Sequence, residues 1–91
     1  MTIDINSFGE KYNLEFETIQ AGDRRVRLAI ADSEPAFEDS REYTLITGNR
    51  LLCPLDGDEW ALVTSTNTTR FEAENPGAAA DHAKRIITGN E

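Results

Sequence analysis

The sequence contains a single cysteine, Cys53, and therefore cannot form an internal disulfide. Lone cysteines are typical of proteins kept in a reducing compartment, so we expect a cytoplasmic protein. Cys53 lies in a predicted strand and has no partner at the spacing of a metal-binding or catalytic pair. Because free cysteines are among the most frequently buried residues, we interpret Cys53 as a small core residue.

Long apolar runs are also missing, since no stretch approaches the roughly 20 residues that a membrane-spanning helix requires. The opening residues MTIDINSFG include an acidic side chain and no basic region, so we do not expect a signal peptide. The only histidine, His82, has no serine or cysteine at a useful spacing, and we interpret it as a surface residue. No phosphate loop, dinucleotide glycine pattern or zinc-type Cys/His set occurs. We therefore expect neither an enzyme nor a cofactor.

Basic residues are scarce: nine lysines and arginines stand against 17 aspartates and glutamates, for a net charge of −8. Such a charge repels phosphate backbones, whereas nucleic-acid binding relies on lysine and arginine contacts to phosphates. We therefore expect no direct nucleic-acid binding. The one basic cluster in the first half is either an anion site or a charge-paired surface, and the second is favoured because acidic residues are expected beside it. The cluster consists of Arg24, Arg25 and Arg27, and its expected partners are Glu15 and Glu17.

With 91 residues, the chain is expected to form one domain over residues 1–91 with one modest core. Its most informative stretch is 43–73, in which apolar runs are separated by Gly48-Asn49, Asp56-Gly57 and Thr66-Asn67. Dipeptides of this kind between alternating apolar residues are typical of tight hairpin turns. The stretch therefore predicts an antiparallel meander of four short strands.

Centring each turn on its dipeptide fixes the strand registers of the meander. The predicted pairs, all on one face, are Ile46 with Leu51, Cys53 with Trp60, and Leu62 with Phe71. The reverse face carries Tyr43, Leu45, Leu52, Ala61 and Val63. This reverse face is either covered by the N-terminal elements, which we favour, or is a dimer interface. Pro54 favours an edge position for its strand, because proline cannot donate to a ladder.

A short helix and a hairpin precede the meander. Ile5, Phe8 and Tyr12 recur at helical spacing behind the N-cap residue Asp4, and predict a helix over residues 4–12. From residue 14 the apolar period changes to two, which predicts a hairpin over residues 14–30 with a three-residue loop. Its predicted pairs are Leu14 with Ile30, Phe16 with Leu28, Glu17 with Arg27, and Gln20 with Arg24.

A C-terminal helix follows the meander. Asn75 as N-cap and Pro76 at the first helical position predict its start, and Gly89 predicts its end. Its apolar stripe predicts packing against the Trp60, Leu62 and Phe71 face; the stripe consists of Ala79, Ala83, Ile86 and Ile87. The fold class is therefore α+β: an antiparallel meander of five to six strands, a short N-terminal helix, and a C-terminal helix packed on one face.

Residues 32–42, DSEPAFEDSRE, interrupt all periodicity and carry five acidic residues against one arginine. Loops of this length in a small domain are often functional. Phe37 either anchors a partner or tucks over the open end of the core, and the tucked position is favoured. A second acidic group, Asp56, Asp58 and Glu59, lies at a predicted turn. It lacks the longer loop and distal glutamate of an EF-hand, so we do not expect a metal there.

We expect a small acidic, non-enzymatic protein-binding module whose partner presents a basic surface. No membrane partner is expected. The expected partner-binding residues are Asp32, Glu34, Phe37, Glu38, Asp39, Glu42, Asp56, Asp58 and Glu59. Two alternatives remain open: an enzyme that uses unidentified carboxylates, and a structural subunit that homodimerises through a sheet face or edge.

In its short length, acidic composition and predicted meander plus helix, the chain is similar to many small phage-encoded inhibitors. These include anti-CRISPR proteins that imitate the charge of DNA. The similarity is one of composition and covers no motif. It implies a viral inhibitor that mimics nucleic acid and competes with it for a basic surface of the partner.

Overall fold

The computed structural model describes residues 3–89. In chain order the elements are α1 (Ile5–Lys11), β1 (Glu15–Ala21), β2 (Arg24–Ile30), α2 (Phe37–Thr47), β3 (Arg50–Pro54), β4 (Glu59–Val63), β5 (Thr68–Glu72) and α3 (Pro76–Thr88). The strands form one sheet in the order β1-β2-β3-β4-β5, antiparallel except between β2 and β3. The predicted α+β class, with its short N-terminal helix and its C-terminal helix on one face, is confirmed. The purely antiparallel meander is corrected to a mixed sheet.

Helix α1 begins and ends as its sequence predicts. The Asp4 carboxylate accepts hydrogen bonds from two backbone N–H groups of the first turn, at 3.0 and 3.3 Å. It thereby satisfies donors that have no partner inside the helix. Asn13 then takes a positive φ of 49° and turns the chain into β1. Two aromatic rings of this region, Phe8 and Tyr12, are buried against the sheet.

Strands β1 and β2 form the predicted hairpin in a different register. Ala21 pairs with Arg24 across a two-residue turn, Gly22-Asp23, so the predicted three-residue loop is wrong. Gly22 has a φ of 67°, which suits the first central position of such a turn. The one-residue shift exchanges the faces of one strand relative to the other. As a result Phe16 lies opposite Ala29, and Glu17 lies opposite Leu28.

The shifted register changes the partners of the charged residues. The predicted Glu17–Arg27 pair is wrong: the Glu17 carboxylate lies 3.1 Å from the ammonium group of Lys84 on α3. The guanidinium carbon of Arg27 instead lies 4.0 Å from the centre of the Phe16 ring, a cation–π contact. A long cationic side chain therefore covers part of an aromatic ring that is 45% exposed.

Helix α2 replaces the predicted loop over residues 37–42 and the predicted strand that begins at Tyr43. The helical period is hidden because the buried face includes hydroxyl residues. Ser40 and Thr44 are 2% and 1% exposed. Their hydroxyls donate to backbone carbonyls of Ala36 and Arg41, at 3.2 and 2.8 Å, which allows burial without water. An apolar-period analysis misses such a helix.

Gly48 ends α2 and does not open the predicted hairpin turn, so the predicted pair of Ile46 with Leu51 is wrong. Its φ of 74° is left-handed, and its N–H donates to the Thr44 carbonyl at 2.9 Å. Helix C-caps and tight turns both require this conformation, so the glycine alone does not distinguish them. The chain then enters β3 parallel to β2, which makes α2 the crossover helix of a βαβ unit.

Strand β3 lies in the middle of the sheet, so the edge position predicted from Pro54 is wrong. Pairing between β2 and β3 ends at Leu52, and Pro54 follows this parallel ladder. Its missing N–H therefore removes no bond to β2. Strand β5 takes the edge position on this side of the sheet.

The turn between β3 and β4 has one more residue than predicted. The Leu55 N–H donates to the Glu59 carbonyl at 2.7 Å, which closes a loop over residues 56–58. Cys53 therefore lies opposite Ala61, and the predicted Cys53–Trp60 pair is wrong. Between β4 and β5 the observed register differs from the predicted one by two residues, so each side chain stays on its predicted face of the sheet. Trp60, in place of Leu62, lies opposite Phe71.

The sheet carries helices on both faces. Helix α3 packs against one face, as predicted, and the residues buried there are Ile19, Leu28, Leu52, Trp60, Leu62, Ala79, Ala80 and Ala83. Helices α1 and α2 cover the other face, where the buried residues are Phe8, Tyr12, Ala29, Ala31, Tyr43, Leu51, Cys53, Ala61 and Val63. The reverse face is thus covered internally, as favoured. Leu52, however, lies on the α3 side, and Leu45 is exposed.

Candidate functional site

The first half of α2 carries four of the nine predicted partner-binding residues. The N-cap residue, Ala36, has no side chain that can accept a hydrogen bond. Glu38 and Asp39 lie in the first turn, where their negative charges interact favourably with the positive end of the helix dipole. The start of α2 is therefore favoured by charge without a side-chain cap, and Pro35, just before the N-cap residue, is buried.

Phe37 is the first residue of α2 and is 58% exposed, so it does not tuck over the core. The guanidinium carbon of Arg41, one turn later, lies 5.8 Å from the centre of its ring. One Nη2 donor of Arg41 reaches the Ser65 carbonyl at 3.4 Å. An exposed aromatic ring next to carboxylates is a common anchor in protein interfaces.

A cleft of about 260 Å³ lies beside Phe37, between α2 and strands β3 to β5. Its lining includes three small or medium-sized residues of the sheet, Cys53, Ala61 and Val63. Glu34 and Arg70 also line this cleft and supply opposite charges. We refer to it as the α2–β5 cleft. Its apolar floor could receive a methyl or isopropyl group, while its rim offers charged partners.

Cys53, in the floor of the α2–β5 cleft, is 3% exposed. Burial raises the pKa of its thiol to about 11, and the negative charge of Glu34 adds to the rise. The thiol is therefore neutral near neutral pH and is a poor nucleophile, since the thiolate is the reactive form. This agrees with the interpretation of Cys53 as a core residue.

The five acidic residues predicted in segment 32–42 have three kinds of surroundings in the structure. Glu34 and Glu38 are exposed. Asp32 and Glu42 are engaged within the chain: the Asp32 carboxylate accepts from the Asn13 amide at 2.6 Å, and Glu42 accepts from the Ile3 N–H at 3.2 Å. Asp39 is half-buried in a recess that Lys11 also lines. Glu34 and Glu38 are therefore the most available of these carboxylates.

The second acidic group lies in the β3–β4 turn, close to the same cleft. Asp56 and Asp58 are exposed, and a Glu59 oxygen lies 4.0 Å from the Arg70 guanidinium. Leu55, which immediately precedes this turn, lines the α2–β5 cleft together with Phe37. The fold thus brings Glu34 of the first acidic group and Leu55, the neighbour of the second, into the lining of one cleft, although they are about 20 residues apart in sequence.

Over residues 3–89, no group of three or more His, Cys, Asp or Glu side chains is arranged to hold a metal ion. Within the same range, no helix is both long enough and apolar enough to cross a membrane. Asp32 lines a separate cleft of about 500 Å³, which Asn13, Glu15 and Trp60 also line.

Sequence reasoning missed two exposed apolar residues in the second half of α2. Leu45 is 72% exposed and Ile46 is 42% exposed. In a helix, Phe37, Arg41 and Leu45 are spaced four residues apart and share one side. The outer side of α2 is therefore partly apolar along its whole length. The spacing was visible in the sequence, but only a helical assignment of residues 37–47 would have revealed it.

Comparison of the chain with family models, with curated proteins and with solved structures gives no match.

Proposed function

We propose that this chain is a non-enzymatic protein-binding module that engages a basic surface of its partner through the outer side of α2. The observation that carries the proposal is the exposure of Phe37, 58%, in the same helical turn as Glu38 and Asp39. Leaving a phenyl ring in water forgoes roughly 1.5–3 kcal/mol of burial free energy, which a partner could recover.

The arrangement on α2 supports helix-in-groove recognition. Such helices present apolar anchors at spacings of three, four and seven residues to a groove on the partner. Phe37 and Leu45 lie two turns apart on one side of α2, with Glu38 beside the first. A groove flanked by lysine or arginine would meet both the anchors and the carboxylates. Charge would mainly accelerate association, while Phe37 would slow dissociation.

A basic groove of this kind fits proteins that bind nucleic acid. The chain carries a net charge of −8 and would compete with phosphate backbones for the same surface. We therefore propose that the module acts as an inhibitor of the nucleic-acid-mimic type. The compositional similarity to phage-encoded inhibitors agrees with this proposal.

The test is capture of the partner from an extract of the native host with the immobilised chain. Phe37→Ala, and separately the triple change Glu34→Lys, Glu38→Lys and Asp39→Lys, should each reduce capture of a specific protein at least tenfold. Duplex DNA or RNA should displace that protein, and added salt should slow its association. If capture of the specific protein survives both sets of changes, this surface is not the site and the proposal fails.

Matched controls separate a local effect from a change in stability or total charge. Phe16→Ala removes a second exposed phenyl ring, 45% exposed, on another part of the surface. Asp23→Lys, Glu74→Lys and Asp81→Lys together change the net charge by the same amount at exposed positions in the β1–β2 turn, just before α3, and on α3. Both controls should retain capture, and equal losses in the controls would show that only total charge or stability matters.

A further inference from the structure

Strand β5 is an edge of the sheet, and its hydrogen bonds to β4 show which of its backbone groups are unpaired. The Thr64 N–H donates to the Asn67 carbonyl, and the Ala73 N–H donates to the Asp58 carbonyl, both at 2.9 Å. Hydrogen-bonded and non-hydrogen-bonded pairs alternate along an antiparallel ladder. Residues 67, 69, 71 and 73 therefore direct their backbone groups toward β4. Thr68, Arg70 and Glu72 direct theirs away from the sheet.

The free side of β5 is accessible. Thr68, Arg70 and Glu72 are all exposed, and the Arg70 side chain is 69% exposed. Helix α3 packs over β1 and β3 and reaches β5 through His82, which stacks on the Phe71 ring on one face of the sheet. An accessible row of unpaired N–H and C=O groups is a template for a further strand.

We propose that β5 pairs antiparallel with β5 of a second copy of this chain, about a twofold axis that passes through the Phe71 pair. In this register Arg70 lies opposite Glu72 of the second copy, and Glu72 lies opposite Arg70 of the second copy. These are the residues whose backbone groups point outward, so each pair can exchange both of its N–H···O bonds. The proposal concerns a different surface from α2 and does not depend on the function proposed above.

Charge complementarity selects this register and this occupant. Moving the axis by one residue, to Arg70, would place two guanidinium groups opposite each other, which is unfavourable. The Phe71 axis instead creates two opposite-charge pairs and one aromatic pair. Strand β1, the other edge, carries Glu15 and Glu17 without any basic residue, so it has no complementary charge to offer a second copy.

The proposed pairing also determines which face of the joined sheet the helices of each copy occupy. Arg70 lines the α2–β5 cleft and so lies on the α2 side, whereas Phe71 stacks on His82 of α3 at 4.2 Å. Side chains of opposed residues in a continuous sheet point to the same side. The dimer would therefore contain one ten-stranded sheet with both α2 helices on one side, and it would present the Phe37 surface twice.

Disulfide trapping tests the register directly. In the proposed dimer residue 71 faces itself in a non-hydrogen-bonded pair, with Cα atoms about 4.5 Å apart, within the range of a disulfide. Phe71→Cys should therefore form a covalent dimer under mild oxidation, seen on a non-reducing gel. Thr69→Cys, whose opposite residue would be Ala73, should remain monomeric. The native thiol does not interfere, because Cys53 is buried. Equal trapping of both variants, or none of Phe71→Cys, would overturn the register.

Charge exchange tests the pairing without a new cysteine. Arg70→Glu and Glu72→Arg, made singly, should each weaken dimerisation about tenfold in sedimentation equilibrium, because like charges then oppose each other twice. The double variant should return to within about threefold of the original chain. Arg24→Glu makes the same charge change at an exposed hairpin position and should have no such effect.

Two outcomes of the sedimentation measurements would overturn the proposed pairing. An unmodified chain that remains monomeric up to millimolar concentration would overturn it, and so would a double variant that associates no better than the single ones. Thermal unfolding of each variant, followed by circular dichroism, checks that the fold is kept. An Arg70→Glu chain that melts with the unmodified one and fails to associate supports the pairing.

Discussion

The helices on the two faces of the sheet, α2 and α3, differ in their N-terminal caps and in the kind of residue that they bury. In α3 the Asn75 side chain accepts from the Ala78 N–H at 2.8 Å, and the buried side consists of alanines, with Ala79 and Ala83 fully buried. In α2 the N-cap residue makes no side-chain hydrogen bond. This helix buries Ser40 and Thr44 and leaves Phe37, Leu45 and Ile46 exposed.

This difference separates a helix that stabilises the fold from one that also presents a surface. Apolar groups favour folding only when they are removed from water, so the exposed rings and aliphatic groups of α2 add little to stability. Departures from local rules concentrate at functional sites, because selection for binding opposes selection for stability there. We infer that α3 was shaped mainly by packing, whereas the outer side of α2 was not.

The largest expected loss of stability comes from truncating a residue on the inner side of α2, which packs against the sheet. Tyr43 is 1% exposed and stacks on Phe8 with ring centres 4.9 Å apart. Tyr43→Ala should lower the free energy of unfolding by about 3–5 kcal/mol, as other buried aromatic truncations do. Leu45→Ala, two residues later and 72% exposed, should change it by less than about 0.5 kcal/mol. Urea denaturation measures both, and a costly Leu45→Ala would contradict the assignment of the outer side.

The second effect concerns Cys53, beneath α2, and appears only at high pH. Burial, with a contribution from Glu34, raises the pKa of the folded thiol from 9.0 to about 11. The unfolded chain therefore loses its proton first as pH rises, so the stabilisation is complete below pH 9 and is lost toward pH 11. The lost stability amounts to about 2 kcal/mol at pH 11.

The comparison chain for this titration is Cys53→Ala, which lacks the thiol and retains all other titrating groups. Unfolding of both chains is followed in urea at pH 8 and at pH 11. The original chain should lose about 2 kcal/mol more than the variant between these values. Parallel losses in the two chains would show that the thiol is not held neutral by the fold.

Helix α3 is sensitive to added volume on its inner side. Ala83 is fully buried against the sheet, so Ala83→Leu should destabilise the chain by about 1–3 kcal/mol through overpacking. Ala78, exposed in the first turn of the same helix, provides the matched control. Ala78→Leu should remain within about 0.5 kcal/mol of the original chain. A tolerated leucine at position 83 would mean that the small residues are not needed for close packing.

The elements that the sequence predicted correctly are those whose ends and faces carry independent signals. Helix α3 combines an N-cap asparagine, a proline, an apolar stripe and a terminal glycine, and all four agree. Helix α2 offers no such agreement, because its buried face uses Ser40 and Thr44. Its β-branched residues and its final glycine fit a strand and turn as well as a helix. Tertiary packing decided between these possibilities.

The registers failed because a turn glycine does not specify its position within the turn. Gly22 and Gly57 have positive φ values, as expected, but the turn around Gly22 is one residue shorter than assumed and the turn around Gly57 is one residue longer. A displacement by one residue exchanges the faces, which moved Cys53 to the α2 side. Of the candidate site, the exposed carboxylates and Phe37 were visible in composition. The α2–β5 cleft and the internal bonds of Asp32 and Glu42 depend on distant contacts.

Removing the N-cap of α3 tests whether this helix stabilises the fold, with a smaller expected change in the free energy of unfolding. Asn75→Ala leaves the Ala78 N–H without the side-chain oxygen that lies 2.8 Å away. The loss should be about 1 kcal/mol, the usual value for such a cap. Asn75→Asp restores an acceptor and should recover most of the stability. An unchanged melting temperature in Asn75→Ala would show that water replaces the cap fully.

The smallest predicted effect is a gain of stability in α2. Ala36 occupies the N-cap with φ −58° and ψ 142° and has no acceptor, so a serine there could bond the N–H groups of the first turn. Ala36→Ser should raise the free energy of unfolding by about 0.5–1 kcal/mol. Serine is preferable to aspartate, since Glu34, Glu38 and Asp39 already crowd this end with negative charge. Ala36→Val, which also lacks an acceptor, is the control and should give no gain, since valine ranks with alanine at the N-cap. If the chain captures a partner as proposed, a stabilised α2 that still captures it would show that the missing cap is not required for binding. Weaker capture would show instead that binding requires α2 to adjust at its first turn.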